Sequence, residues 1–364
     1  MSRSIKIAVL GGDGVGPEVT AETVKVLDAT GLDFEFIACS VGGKAYIEEG
    51  NPLPPEAKEA IDEADAVLFG AVGHDYAPYG IPRKVLIYLR MEKNAYANVR
   101  PLKLYPGIRR LSDGSPYRDV DVIFVRDNAE GISLEHEGFL WDEKGVDKRV
   151  ITHFGAQRIA MFAFNYAKKE GRSKVTCIDQ SNWMYSDKLF RNAFEGVASR
   201  ERSMTSECYN VDVAAMMQVQ NPKSFDVIVT PDIYGDILSG VVIGQIGGVG
   251  MAPSACIGET FAFFEPVHGT AFDIAGKGVA NPIASILSGK MLLEWLGQPE
   301  EALAIELAVR RVLSEGKVRT RDLGGRSSTS EVGDVIADLV ETMPSVKPED
   351  IELLEEPTSI TESP

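Results

Sequence analysis

The apolar residues of this chain fall first into short, unbroken runs. IKIAVL (5–10), AVLFGAV (66–72), DVIFV (121–125), KVTCID (174–179) and DVIVTPD (226–232) are rich in Val and Ile. Runs of this length without polar alternation are expected of strands buried on both faces. Longer stretches with apolar positions at helical spacing lie between them, at 17–29, 55–63, 82–92, 153–170, 184–199, 211–220 and 234–245. In 153–170 the apolar face is marked by Phe154, Ile159, Phe162, Ala163 and Tyr166, and Gly171 stands at the usual stop position. Alternation of this kind predicts an α/β fold, a mostly parallel sheet covered by helices. The segment 139–152, FLWDEKGVDKRVIT, is polar and β-leaning, compatible with a hairpin arm that its periodicity alone does not establish. From about Pro344 the chain turns acidic and rich in Pro, Ser and Thr, and is expected to be exposed or disordered.

Composition narrows the class. With 364 residues, 44% of them hydrophobic, the chain has material for a large core and roughly two or three domain-sized units. A net charge of −17 argues against nucleic acid and anionic membranes as partners. It does not exclude an anionic small molecule, because a local arginine cluster can hold one inside an acidic protein. No run of 18 apolar residues exists, and MSRSIKIAVLGG passes straight into a strand pattern with no signal-like segment, so a cytoplasmic location is expected. Cys39, Cys177, Cys208 and Cys256 are widely separated and form no CxxC pair. Three of them lie in or beside apolar stretches and read as buried free thiols.

GGDGVGPEV (11–19) follows a strand and opens a helix. It is not a dinucleotide fingerprint, since Val19 stands where G-x-G-x-x-G needs its last glycine. Taken alone it reads as a tight strand-to-helix turn, with Pro17 at the first helical position. The competing reading is that its helix-start amides touch a cofactor.

The segment FEPVHGTAFDIAGKGVANP (264–282) closely resembles the nucleotide loop of the β-decarboxylating dehydrogenases, which act on 3-isopropylmalate, isocitrate, homoisocitrate, and tartrate or malate. GGDGVGPEV, YANVRP (96–101) and RTRDLGG (319–325) resemble the same family in the right order, so the likeness spans roughly residues 5–340. It implies the two-domain isopropylmalate/isocitrate dehydrogenase-like fold, with a nucleotide-side domain from 1–98 plus 248–364. A central domain at 99–247 would carry the 139–152 arm, exchanged in a homodimer or higher homo-oligomer. By resemblance, Glu265, His268, Gly269, Thr270, Ala271, Asp273, Ile274, Asn281 and Asp322 line an NAD site. Gly269, Gly276 and Gly278 let backbone approach the cofactor. Asp273 would accept bonds from the adenosine ribose and repel a 2′-phosphate, which predicts NAD over NADP. Without its motif, His268 would read as a turn histidine bonded to backbone.

Arg90, Arg100 and Arg126 match three family arginines that hold malate carboxylates, for which guanidinium forks are suited. The resemblance therefore implies a small hydroxyacid substrate of di- or tricarboxylate type. Leu86 and Ile87 match positions where isopropylmalate-type enzymes place apolar residues against the γ-substituent. Arg83 stands where those enzymes have an acid.

Departures fall on the chemistry. Ser133 replaces the family tyrosine and Gln180 the family lysine, the positions of the catalytic acid and base. Asp212, expected across a dimer interface, and Asp236 keep two of the carboxylates for Mg²⁺ or Mn²⁺, while Gly240 replaces another. Asp232 replaces a family asparagine nearby. Tyr185, Lys188 and His136 are candidate substitutes for the lost acid and base. Two readings follow: an NAD-dependent oxidoreductase with an altered acid–base set, or a non-catalytic or regulatory subunit that works beside a catalytic partner.

Overall fold

The computed structural model describes residues 3–73, 77, 78, 80–109, 119–132 and 138–343. Ser133, His136 and the acidic tail from Pro344 lie outside the described residues.

The elements run β1 (Ile5–Gly12), α1 (Gly16–Asp28), β2 (Phe34–Ala38), α2 (Gly43–Glu49), α3 (Pro55–Glu63) and β3 (Ala66–Ala71). Next come α4 (Arg83–Ile87), a π-helical turn over Tyr88–Glu92, β4 (Ala97–Lys103) and β5 (Asp121–Asp127). A hairpin of β6 (Phe139–Trp141) and β7 (Lys144–Val146) precedes α5 (His153–Lys169), β8 (Lys174–Asp179) and α6 (Tyr185–Ala198). Then follow β9 (Thr205–Asn210), α7 (Val211–Gln220), β10 (Val227–Thr230) and α8 (Asp232–Ile243). The described chain closes with β11 (Pro253–Ile257), β12 (Ala262–Pro266), α9 (Ile283–Trp295), α10 (Pro299–Glu315) and α11 (Thr329–Thr342).

Ten strands form one sheet in the order β2-β1-β3-β12-β11-β4-β5-β10-β8-β9. Pairing is parallel except at its middle, where β12–β11, β11–β4 and β4–β5 are antiparallel. The α/β, mostly parallel expectation therefore holds. The five apolar runs are β1, β3, β5, β8 and β10, and β3 is buried at all six positions.

The pattern missed β2, β4, β9, β11 and β12. β9 is an edge strand, TSECYN, with no apolar run to detect. β4 carries Arg100 and Pro101 in mid-strand, which reads as a break. Proline is tolerated there because β11 pairs β4 only over Ala97–Val99, leaving Pro101 beside a single neighbour, β5. The helical span expected at 82–92 is a short α4 followed by the π turn, a device often found at functional sites. In α5 the Thr152 hydroxyl caps the first turn by accepting from the Gly155 N–H at 3.0 Å. Its buried face is Ala156, Ile159, Ala160, Ala163, Phe164 and Ala167, whereas Phe154, expected on that face, is 70% exposed.

The division expected at residues 98 and 248 falls inside β4 and between Gly247 and Gly248, both at positive φ. One continuous core includes Leu68 and Ile286 on one side and Phe124, Phe164 and Val227 on the other. The arm is a two-stranded hairpin whose Phe139, Leu140 and Trp141 are exposed. All four cysteines are free. Cys177 and Cys256 are buried, but Cys39 and Cys208 are only half-buried, so two thiols rather than three are in the core.

Candidate active site

Three arginines gather where the sheet changes from parallel to antiparallel. Arg90 comes from the π turn, Arg100 from β4 and Arg126 from β5. Parallel α/β sheets place ligands at such strand-end switch points. Arg126 is buried. Its Nε donates to the Asp232 carbonyl at 2.9 Å, and its Nη2 pairs with Asp232 Oδ1 at 2.7 Å. Nη1 lies 3.3 Å from Asp236 Oδ1. Gly235 makes this possible, since a Cβ there would sit 2.8 Å from Arg126 Cγ. Arg100 donates to Asn98 Oδ1 (2.8 Å), Ser239 Oγ (2.7 Å) and Asp236 Oδ1 (3.0 Å). Arg90 Nη2 stands 3.6 Å from Glu265 Oε1, and its Nε is buried without a partner.

Charge is nearly balanced in this cluster. Burial, reinforced by the neighbouring Arg126, pulls Arg100 down to about 10. Burial also opposes the charge on Arg90, but Cys256, Glu265, Asp232 and Asp236 together hold it above the ordinary arginine value. Burial would raise Asp236, yet Arg126, Arg100 and Arg90 keep it below the usual carboxylate range. Asp236 is the exposed member at 56%, against 2% for Asp232. The inner pair is thus structural, and the outer carboxylate occupies the arginine face that meets solvent.

Glu265 links this cluster to the loop that follows β12. It faces Arg90, and Cys256 Sγ lies 3.5 Å from its Oε1. Asn98 donates to Ser254 Oγ at 2.7 Å and contacts Cys256 Sγ at 3.1 Å. Sequence reasoning missed the roles of Asn98, Cys256 and Ser239. No motif spacing marks them, because they meet only through pairing of β4 with β11 and packing of α8.

The loop after β12 lines a cavity of about 440 Å³ with Val15, Val249, His268, Ala271, Ile274, Asn281 and Asp322 among its walls. Asn281 Nδ2 donates to Asp322 Oδ2 at 3.0 Å, and the Thr320 hydroxyl holds Oδ1. His268 shows both of its expected faces. Nδ1 is 2.9 Å from the Gly269 carbonyl, as in a turn histidine, while Nε2 is buried and unpartnered. Burial lowers its pKa below the ordinary value, so the ring is neutral at pH 7. The N-terminal glycine turn packs on this loop: Val15 N–H donates to the Thr270 carbonyl at 2.8 Å. A Cβ on Gly14 would collide with that carbonyl. Asp13 points away instead, accepting from the amides of Gly43 (2.7 Å), Lys44 (2.8 Å) and Gly73 (2.9 Å). Gly276 and Gly278 have φ of 71° and 62°, conformations that favour glycine. Asp273 and Gly269 are exposed. An orphaned imidazole nitrogen, a neutral ring and the Asn281–Asp322 pair in the cavity wall fit a dinucleotide.

Leu86 and Ile87 part company. Leu86 lines a cavity of about 530 Å³ with Val72, Pro82 and Arg83, whereas Ile87 lines a different one with Pro52, Leu53 and Tyr88. Adjacent helical positions point about 100° apart, which is why the two side chains open onto different cavities.

Gln180 follows β8. Its N–H donates to Asp187 Oδ2 at 2.8 Å, and its Oε1 is buried without a partner. Asp187 also receives the Tyr234 hydroxyl (2.9 Å) and pairs with Arg149 (2.6 Å), contacts that no sequence signal announced. Tyr185 is 94% exposed and Lys188 is exposed, so neither enters this site within one chain.

Asp212 is exposed on α7, and Asp236 is engaged by arginines. Among the described residues no three His, Cys, Asp or Glu side chains are grouped to hold a metal. Gly240 faces open space, where the family carboxylate would stand.

The sequence model of isocitrate/isopropylmalate dehydrogenases matches residues 6–336. The 3-isopropylmalate dehydrogenase of Methanothermobacter thermautotrophicus is 44% identical over 336 residues, covering 92% of this chain and 98% of the relative. The homoisocitrate dehydrogenase of Methanocaldococcus jannaschii is 40% identical, covering 92% and 98%. Among solved structures, isocitrate dehydrogenase from Methylococcus capsulatus superposes with a TM-score of 0.86 at 35% identity, covering 93% of this chain and 99% of that one.

Proposed function

Because the chain belongs to the isocitrate/isopropylmalate dehydrogenase family, we propose that it is an NAD-dependent oxidoreductase of a malate-type 2-hydroxy di- or tricarboxylate. The observation that carries this reading is the buried Arg90–Arg100–Arg126 cluster, joined through Glu265 to the nucleotide loop. A substrate carboxylate displaces the exposed Asp236 from Arg100 and Arg126, while Asp232 stays and keeps Arg126 oriented. NAD, held beside this cluster, would supply the acceptor for a hydride from C2. His268, Asn281 and Asp322 hold the cofactor, Asp273 selects against a 2′-phosphate, and Glu265 fixes Arg90 between cofactor and substrate.

Proton transfer is where this chain differs. Gln180 cannot serve as a base at pH 7, and one positioned acid or base is worth about 10²–10⁴-fold. Turnover is therefore slow for the family unless a second chain supplies groups. Exposed Val213, Met216 and Val219 on α7, Ile237 on α8 and the arm's Leu140 support a homodimer.

The test is NADH formation by purified protein across 3-isopropylmalate, isocitrate, homoisocitrate, D-malate and tartrate, with and without Mg²⁺ or Mn²⁺, beside calorimetric NAD binding. Turnover on one of them is expected, and Gln180→Lys with Ser133→Tyr is expected to raise it. NAD binding with no turnover on any member, alone or after that double substitution, overturns the enzyme reading and leaves the partner-dependent subunit.

A further inference from the structure

A thiol pair lies behind the site, on the α6 side of the sheet's far edge. Cys177 on β8 and Cys208 on β9 are direct register partners in parallel strands. Neighbouring strands lie about 4.7–4.9 Å apart, inside the roughly 4.4–6.8 Å Cα separation that a disulfide spans. Cys177 Sγ is 3.6 Å from Asp179 Oδ2. Arg191 of α6 grips Asp179 with Nε–Oδ2 and Nη2–Oδ1 contacts of 2.9 Å each, and reaches Asn210 Oδ1 at 3.5 Å. β9 is the edge strand, and Cys208 is half-buried while Cys177 is fully buried.

We propose that Cys177 and Cys208 form an oxidative modification site, at which a hydroperoxide converts them to a disulfide joining β8 to β9. The pair divides the work. Cys208 is the accessible nucleophile, and the Cys177 hydrogen bond, with Arg191 adding to it, overcomes burial and holds this thiol below the ordinary cysteine value. Its thiolate attacks the peroxide: an S–O bond forms, the O–O bond breaks, and the leaving oxygen takes up a proton. Burial, with the bond to Cys208, keeps Cys177 protonated as the resolving thiol. Its sulfur then attacks the sulfenic sulfur, forming S–S, breaking S–O and releasing water. Two thiols are oxidised and one hydroperoxide is reduced, to two waters when it is hydrogen peroxide. The other two cysteines are poor competitors, since burial raises Cys39 and pushes Cys256 up to about 12. The bond would tie together the strands that lead into Gln180 and into Asp212 at the start of α7, three and four residues further along the chain.

The experiment treats the full chain with hydrogen peroxide, then unfolds it and counts thiols. The count is expected to fall from four to two, reversibly with dithiothreitol, and peptide mapping is expected to find Cys177 and Cys208 linked at two hydrogen masses below their sum. Cys208→Ser is expected to keep its three remaining thiols, and Cys177→Ser to leave a sulfenic acid on Cys208 that a dimedone probe traps. The half-buried Cys208→Ser variant carries the test should Cys177→Ser fail to fold. Loss of thiols in Cys208→Ser, a linkage through Cys39 or Cys256, or oxidation of Cys208 to sulfinic acid with Cys177 untouched overturns the proposal.

Discussion

Arg126→Met separates what this arginine does for the fold from what it does for a ligand. Methionine keeps the buried stem and deletes the guanidinium. In the native site that group neutralises Asp232, 2% exposed, and satisfies its carbonyl. Removing one partner of a buried, hydrogen-bonded pair leaves an uncompensated charge, a loss of about 3–5 kcal/mol. That is a large share of the roughly 5–15 kcal/mol by which domains are stable. Adding Asp232→Asn exchanges the orphaned charge for an orphaned amide, whose burial costs about 1–3 kcal/mol, so the double variant should recover about 2 kcal/mol. Binding behaves differently. A guanidinium–carboxylate bond contributes about 1.5–3 kcal/mol, so both variants should weaken substrate affinity by roughly ten- to a hundredfold. Urea unfolding followed by the fluorescence of Trp141, Trp183 and Trp295 measures the first quantity, and calorimetry or KM the second. A single variant that loses under about 1 kcal/mol, or a double variant no more stable than the single, refutes the buried-pair argument. Recovered stability together with wild-type affinity refutes the ligand role alone.

Burial pushes the Asp127 carboxyl up to about 7, so the folded chain holds a proton that the unfolded chain releases near pH 4. Stability should therefore fall as pH rises from about 4 to 7, by a few kcal/mol at most, and unfolding of Asp127→Asn should lose that slope. Gly240→Asp meets open space and adds a carboxylate one helical turn from Asp236, so calorimetry should show Mn²⁺ binding strengthened roughly tenfold. Unchanged affinity would mean that no metal uses this face. On the proposed reading Asp273 repels a 2′-phosphate, an effect worth about 1–2 kcal/mol in water, so Asp273→Ser should raise the NADP-to-NAD affinity ratio about five- to thirtyfold.

Local pattern was enough for much of this protein. The doubly buried strands announce themselves by Val- and Ile-rich runs because hydrophobicity needs no partner to be read. The loop at 264–282 and the three arginines stood out because each lies in a contiguous motif that resembles the family's, and the fold brings those arginines together. β4 was hidden because its Arg100 and Pro101 look like a break until pairing shows Pro101 beside only one strand. Tertiary structure alone decided that Asp232 is the inner partner of Arg126, that Leu86 and Ile87 serve different cavities, and that Asp187 ties Gln180 to Tyr234 and Arg149. The same holds for Cys177 and Cys208, thirty-one residues apart in sequence and register partners in space. Such contacts depend on strand order and helix packing, which no spacing along the chain encodes, so residue types determined the chemistry on offer and the fold decided which groups meet.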